Sequence, residues 1–125
     1  MVFLSKVYIV IWNKLCKTNS KGEEYIKMYL EENKIKYIQQ HRFDTCKYIN
    51  KLNFDFYLPE YNLCIEFDGI QHFKPIKQFG GEKEYINCIK RDECKNEWCL
   101  ENNIKLVRIK YDQISNISRI LKNNL

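Results

Sequence analysis

The stretch LNFDFYLPEYNLCIEFDGIQH, running from Leu52 to His72, decides how this chain is read. It predicts two short strands joined by a tight turn. Phe54, Phe56 and Leu58 alternate with Asn53, Asp55 and Tyr57, so one face is apolar and the other carries a carboxylate. Pro59 to Asn62 make the turn. Leu63, Ile65 and Phe67 then alternate with Cys64, Glu66 and Asp68, Gly69 closes the second strand, and Gln71 and His72 follow. Asp55, Glu66 and Asp68 are acids inside β-runs, where acids are disfavoured. In an antiparallel hairpin with one wet face, polar residues at alternate positions are ordinary, so no single acid carries an argument. Asp55, Glu66, Gln71 and His72 crowded around one hairpin do, and the simplest shared purpose is a divalent cation with oxygen ligands.

A chain of 125 residues with 45% hydrophobic and 14% aromatic content can build one domain with a real core. It is not a disordered or low-complexity sequence. The 21 Lys and Arg against 16 Asp and Glu leave a net charge of +5, an excess that suits a polyanion without demanding one. Six cysteines (Cys16, Cys46, Cys64, Cys88, Cys94 and Cys99) include no C-x-x-C pair, which argues against a zinc knuckle. Cys64 falls in a strand, and Cys88 and Cys99 on an inward helix face, so they read as core thiols of an intracellular protein. The apolar start MVFLSKVYIVIW is interrupted by Lys6, lacks a cleavage site and is too short to span a bilayer. It is expected to pack on the core as an extension over residues 1–19, with Val7 to Trp12 favouring a strand. The domain proper is expected over 20–125.

Ser20 reads as the N-cap of a helix reaching about Asn33, with Glu23 at capping-box spacing. Ile26, Tyr29 and Leu30 share one face and Glu23 points inward with them, so Glu23 is either a cap partner, a site residue or both. Ile35 to Phe43 is expected to be a first strand, and Asp44 to Lys51 a polar connection to the hairpin. A loop follows from Phe73 to Gly81. A long helix is expected from about Glu82 to Asn102, on which Tyr85, Cys88, Asp92, Lys95 and Cys99 fall on one stripe. Lys95 therefore either snorkels outward or is aimed at something buried. Lys90, Arg91 and Glu97 read as solvated charges. Leu106 to Ile109 is a last strand, and an amphipathic helix starting at Asp112 or Ser115 closes the chain. The expected class is α/β, a mixed sheet with flanking helices in the order αβββαβ and a final helix.

Five segments together resemble a known family: S-K-G-E at Ser20 to Glu23, F-D-F-Y-L-P at Phe54 to Pro59, I-E-F-D-G-I-Q-H at Ile65 to His72, R-D-E-C-K at Arg91 to Lys95, and I-K-L-V-R-I at Ile104 to Ile109. They are similar to the PD-(D/E)XK nuclease superfamily, with its restriction-endonuclease-like core, and most of all to its small Vsr-like branch. The resemblance covers about residues 20 to 112. It implies that Asp55 and Glu66 bind Mg²⁺ (or Mn²⁺) and that Glu23 orients metal-bound water. Where the motif expects lysine this chain has Asp68, so Gln71 or Lys95 is expected to take over that part, with His72 near the water or the scissile phosphate.

The resemblance thus implies metal-dependent endonucleolytic hydrolysis of DNA, leaving 5′-phosphate and 3′-hydroxyl ends. Lys74, Lys77, Lys90 and Arg91 would hold the nucleic-acid backbone. No membrane is involved, and both a monomer and a homodimer remain compatible. Asp68 in place of lysine supports an alternative: an inactive copy of the fold that binds nucleic acid or a protein partner. A third reading, an RNA endonuclease, shares the metal acids and differs in substrate.

Overall fold

The side chain of Ser20 accepts a hydrogen bond from the Glu23 N–H at 3.3 Å and so opens helix α1, Lys21–Glu32. The computed structural model describes residues 20–125. The expectations for residues 1–19, including the strand at Val7 to Trp12, the packed extension and the role of Cys16, lie outside the described residues. Strands β1 (Ile38–Tyr48), β2 (Asn50–Leu58) and β3 (Leu63–Asp68) follow α1. Two 3-10 turns, Ile70–His72 and Lys77–Phe79, lead to the long helix α2 (Gly81–Glu101). Strand β4 (Lys105–Lys110), a 3-10 segment at Tyr111–Asn116 and helix α3 (Ile117–Asn124) complete the described chain. Gly80 and Gly81 both have positive φ, 93° and 65°, which lets the chain turn sharply into α2.

The sheet order is β1-β2-β3-β4. The first two pairings are antiparallel and β3–β4 is parallel, with α2 as the crossover. This is the mixed α/β architecture that the element order predicts. The hairpin with one wet face is not found. Five of the six β3 residues are buried, because parallel pairing with β4 makes β3 a central strand covered by helices on both faces. On one face Phe56, Leu58, Leu63, Ile65, Val107 and Ile109 pack against Ile26 and Leu30 of α1 and Ile117 and Leu121 of α3. On the other, Leu52, Phe54 and Cys64 meet Cys99 and Trp98 of α2.

Two further departures concern β1 and β2. The stretch expected to be a polar connection, Asp44 to Lys51, is strand on both sides of Ile49, and its polarity reflects a solvent-facing ribbon rather than a loop. Between the pairs Arg42–Asn53 and Lys47–Lys51, five steps of β1 cover two of β2. This bulge carries Phe43 onto Trp98 (ring centroids 4.6 Å apart) and buries Cys46, while the Trp98 indole N–H donates to Thr45 Oγ1 at 2.9 Å. Second, Phe54 and Phe56 do not share a face as simple alternation requires. Phe56 faces α1 and Phe54 faces α2. Gln40 on β1, between the partners of these two residues, has a φ of 51°, so the irregularity crosses both strands beside Asp55.

Gly22 sets how closely α1 approaches the sheet. A Cβ there would lie 2.2 Å from the ring of Phe67. The absent side chain therefore lets the first turn of α1, and Glu23 with it, come down onto the end of β3. Gly22→Ala is expected to destabilise the protein by about 1–3 kcal/mol through overpacking. Urea denaturation of Gly22→Ala with and without Phe67→Leu checks this: the smaller ring should recover part of the loss, and a cost unchanged by Phe67→Leu would place the strain elsewhere.

Candidate active site

The antiparallel ladder between β2 and β3 runs through Leu58–Leu63, Tyr57–Cys64 and Phe56–Ile65 and stops there. Asp55 and Glu66 are the next residues along each strand. Their side chains take over where ladder bonds end. The Asp55 N–H donates to Glu66 Oε2 at 3.2 Å, and the Phe67 N–H donates to Asp55 Oδ2 at 2.7 Å. The two carboxylates therefore sit at a fork in the sheet, each held by the backbone of the opposite strand. Both amides that would otherwise be unpaired at the fork are satisfied this way.

Lys95, from α2, donates to Glu66 Oε1, and its ammonium lies 5.3 Å from the centre of the Phe54 ring. Phe54 crossing to the α2 side puts its ring under that ammonium. Glu66 is only 4% exposed. Burial and then the charge of Asp55 raise its pKa to about 7, and Lys95 only partly offsets them. Burial also raises Asp55, with the Glu23 charge adding to it. Glu23 is raised by burial and by Glu66, although Ser20 hydrogen bonds work the other way. Its Oε1 accepts from the Ser20 hydroxyl at 3.4 Å, so Glu23 is both a cap partner and a neighbour of the acid pair. Three carboxyl groups thus share an environment with one lysine.

A second network continues along the same face. Arg108 of β4 donates from Nη1 to both oxygens of Asp68, at 2.9 and 3.1 Å, from Nε to Asn96 and from Nη2 to the Asp92 carbonyl. Burial opposes its charge, but Asp68 and Asp92 more than offset that and hold it protonated. His72 Nδ1 lies 2.7 Å from Asp92 Oδ2 and 3.7 Å from Asp68 Oδ1. Beside this network opens a cavity of about 590 Å³, lined among others by Gln71, His72, Arg91, Asp92 and Lys95.

The residues expected from the sequence are distributed as follows. Asp55, Glu66, Lys95 and Glu23 come together. Gln71 does not join them: its side chain is exposed at the cavity rim and folds back beside Gly69. Of the two candidates for the basic group, Lys95 is the one that touches Glu66. His72 lies at the cavity, held by Asp92. Lys74, Lys77 and Lys90 are exposed, and Arg91 borders the cavity, paired with Glu84 rather than freely solvated. Arg108 was not expected. Its signal was an arginine inside an apolar strand, in phase with Leu106, and its partner is Asp68.

The comparisons with known proteins are sparse. No family model matches the chain, and no solved structure matches it. The uncharacterized protein 307L of Invertebrate iridescent virus 6 is 37% identical to it over 75 residues, 59% of this chain and 38% of that protein. The chain therefore spans well under half the length of that relative. Among the described residues no helix is long and apolar enough to cross a membrane.

Glu66 has a clear consequence for stability. The folded protein holds its proton up to about pH 7, whereas the unfolded chain releases it near the ordinary value of 4.5. In that window the native state binds more protons, so stability falls as pH rises from 4.5 to 7. At full effect the loss is about 3 kcal/mol. Glu66→Gln removes this component. Urea denaturation at pH 5 and pH 8 should show a smaller drop in the variant than in the wild type; equal drops would contradict the assignment.

Proposed function

We propose that this protein is a divalent-cation-dependent endonuclease that hydrolyses phosphodiester bonds of DNA on a restriction-endonuclease-like core. One observation carries the reading: buried Glu66 and half-buried Asp55 at the fork of the sheet, with half-buried Glu23 beside them, have one lysine to offset three acids. Such an excess of acids in a partly desolvated site is relieved either by a proton, which the raised pKa of Glu66 to about 7 reflects, or by a cation that takes the proton's place. The donor set fits Mg²⁺ or Mn²⁺, hard ions that take carboxylate, backbone and water oxygens. Each carboxylate oxygen that accepts one hydrogen bond here keeps a further lone pair for such an ion. Asp55 and Glu66 would hold it.

When bound, the cation lowers the pKa of water and neutralises charge growing on the phosphate. The chain's own residues do the rest. Lys95 holds Glu66 in place and presents positive charge at the acid site, which is the part the motif lysine plays in the family it resembles. Glu23 is a proton acceptor whose raised pKa brings it nearer neutrality. Asp92 fixes the His72 ring at the cavity, where Arg91 and Lys95 add positive charge. Exposed Lys74, Lys77 and Lys90 supply non-specific contacts to a polyanionic backbone. Together these groups suit a phosphodiester strand laid across the cavity toward the fork.

The test is cleavage of supercoiled plasmid, single-stranded DNA and a matched RNA, with Mg²⁺, Mn²⁺ or EDTA. Wild type should cut DNA only with metal. Glu66→Ala and Asp55→Asn should abolish cutting while retaining binding, and Lys95→Ala should lose on the order of a hundredfold, as expected for removing a group that stabilises transition-state charge. Cutting that survives Glu66→Ala would refute the site. Preferential cutting of RNA would move the substrate. A folded wild type that binds DNA but never cuts would favour the inactive binding module, to which Asp68 in place of lysine also points.

A further inference from the structure

His72, Cys88 and Asp92 each offer a ligand atom, and these atoms all lie within 4.8 Å of one another. Among the described residues this is the group of histidine, cysteine and acid side chains gathered closely enough to hold one ion. It is not the acid fork. Cys88 and Asp92 stand one turn apart on α2, so they project from the same helix face. His72 ends the 3-10 turn that follows β3. Cys88 is buried, His72 and Asp92 are half-buried, and all three line the 590 Å³ cavity, which gives an ion a way in.

The donor set is one imidazole nitrogen, one sulfur and one carboxylate oxygen. A thiolate and an imidazole are poor ligands for Mg²⁺ and good ones for borderline-soft ions. Three protein ligands with a fourth position open to a cavity is the pattern of an accessible zinc site. We propose that His72, Cys88 and Asp92 form a second metal site that takes Zn²⁺ or a similar transition ion. Ligands around tetrahedral Zn²⁺ stand about 3.3–3.8 Å from one another, given bond lengths of 2.0–2.3 Å. Separations of up to 4.8 Å therefore need only a small inward movement of side chains. The His72–Asp92 contact of 2.7 Å has to open as the ion enters. Arg108 approaches Asp92 through Oδ1, at 3.6 Å, which leaves Oδ2 to the ion. On binding, the Cys88 thiol releases its proton to solvent and coordinates as thiolate.

Occupancy would fasten the 3-10 turn bearing Gln71 and His72 to the helix that bears Lys95. The site needs no nuclease activity to exist. Its ligands are separate from Asp55 and Glu66, so either reading can fail without the other.

The test uses the metal-stripped chain titrated with Co²⁺, a spectroscopic stand-in for Zn²⁺. The expected result is a thiolate-to-cobalt charge-transfer band that Zn²⁺ abolishes by displacement and excess Mg²⁺ does not. The band should vanish in Cys88→Ser and in His72→Ala and persist in Cys94→Ser, with circular dichroism confirming that each variant is folded. Because His72 is partly exposed whereas Cys88 is buried, His72→Ala keeps the test decisive if Cys88→Ser does not fold. A folded wild type that shows no band overturns the proposal, as does a band that survives either ligand substitution.

Discussion

The exchange of hydrogen bonds between Asp55 and Glu66 across the parting strands is the constraint on which the site depends. Past Phe56 and Ile65 the backbones of β2 and β3 no longer pair, and each carboxylate instead accepts from the other strand's amide. Two acids that would repel each other, one buried and one half-buried, are fixed there by backbone donors. The break in alternation between Phe54 and Phe56 belongs to the same event. It sends Phe54 toward α2, beneath Lys95, and leaves Phe56 in the core under α1.

The crossover supplies the counter-charge. A parallel β3–β4 pair needs a long connection on one face, and here that connection is α2. Its inward stripe runs over the polar side of β3, so Lys95 reaches Glu66, and Arg108 of β4 ties Asp68 to Asp92. Glu23 arrives from the opposite face because Gly22 lets α1 close onto Phe67. Five elements, α1, β2, β3, α2 and β4, thus converge on one end of the sheet, where acids outnumber bases.

Much of this was legible in the sequence, for identifiable reasons. Helix limits followed from local signals: the Ser20 cap, the Gly80–Gly81 turn and the spacing of apolar residues. The inward position of Lys95 followed from counting along α2. What failed was information carried by long-range pairing. Alternation along β3 looked like one wet face, since sequence does not reveal that a strand is central until its parallel partner is known. Arg108 escaped notice because its partner, Asp68, is forty residues away in the chain. The polar run from Asp44 to Lys51 looked like a loop because an exposed, bulged ribbon has the same composition.

The central claim is that Glu66 is a buried acid whose charge awaits a cation. Carbon NMR titration of the Glu66 side-chain carboxyl, with and without saturating Mg²⁺, measures this directly. The account predicts a midpoint near pH 7 without the ion, in line with its pKa of about 7, a marked fall when Mg²⁺ is added, and a further rise in Lys95→Met without the ion. A midpoint in the ordinary carboxylate range, indifferent to both Mg²⁺ and Lys95, would contradict it.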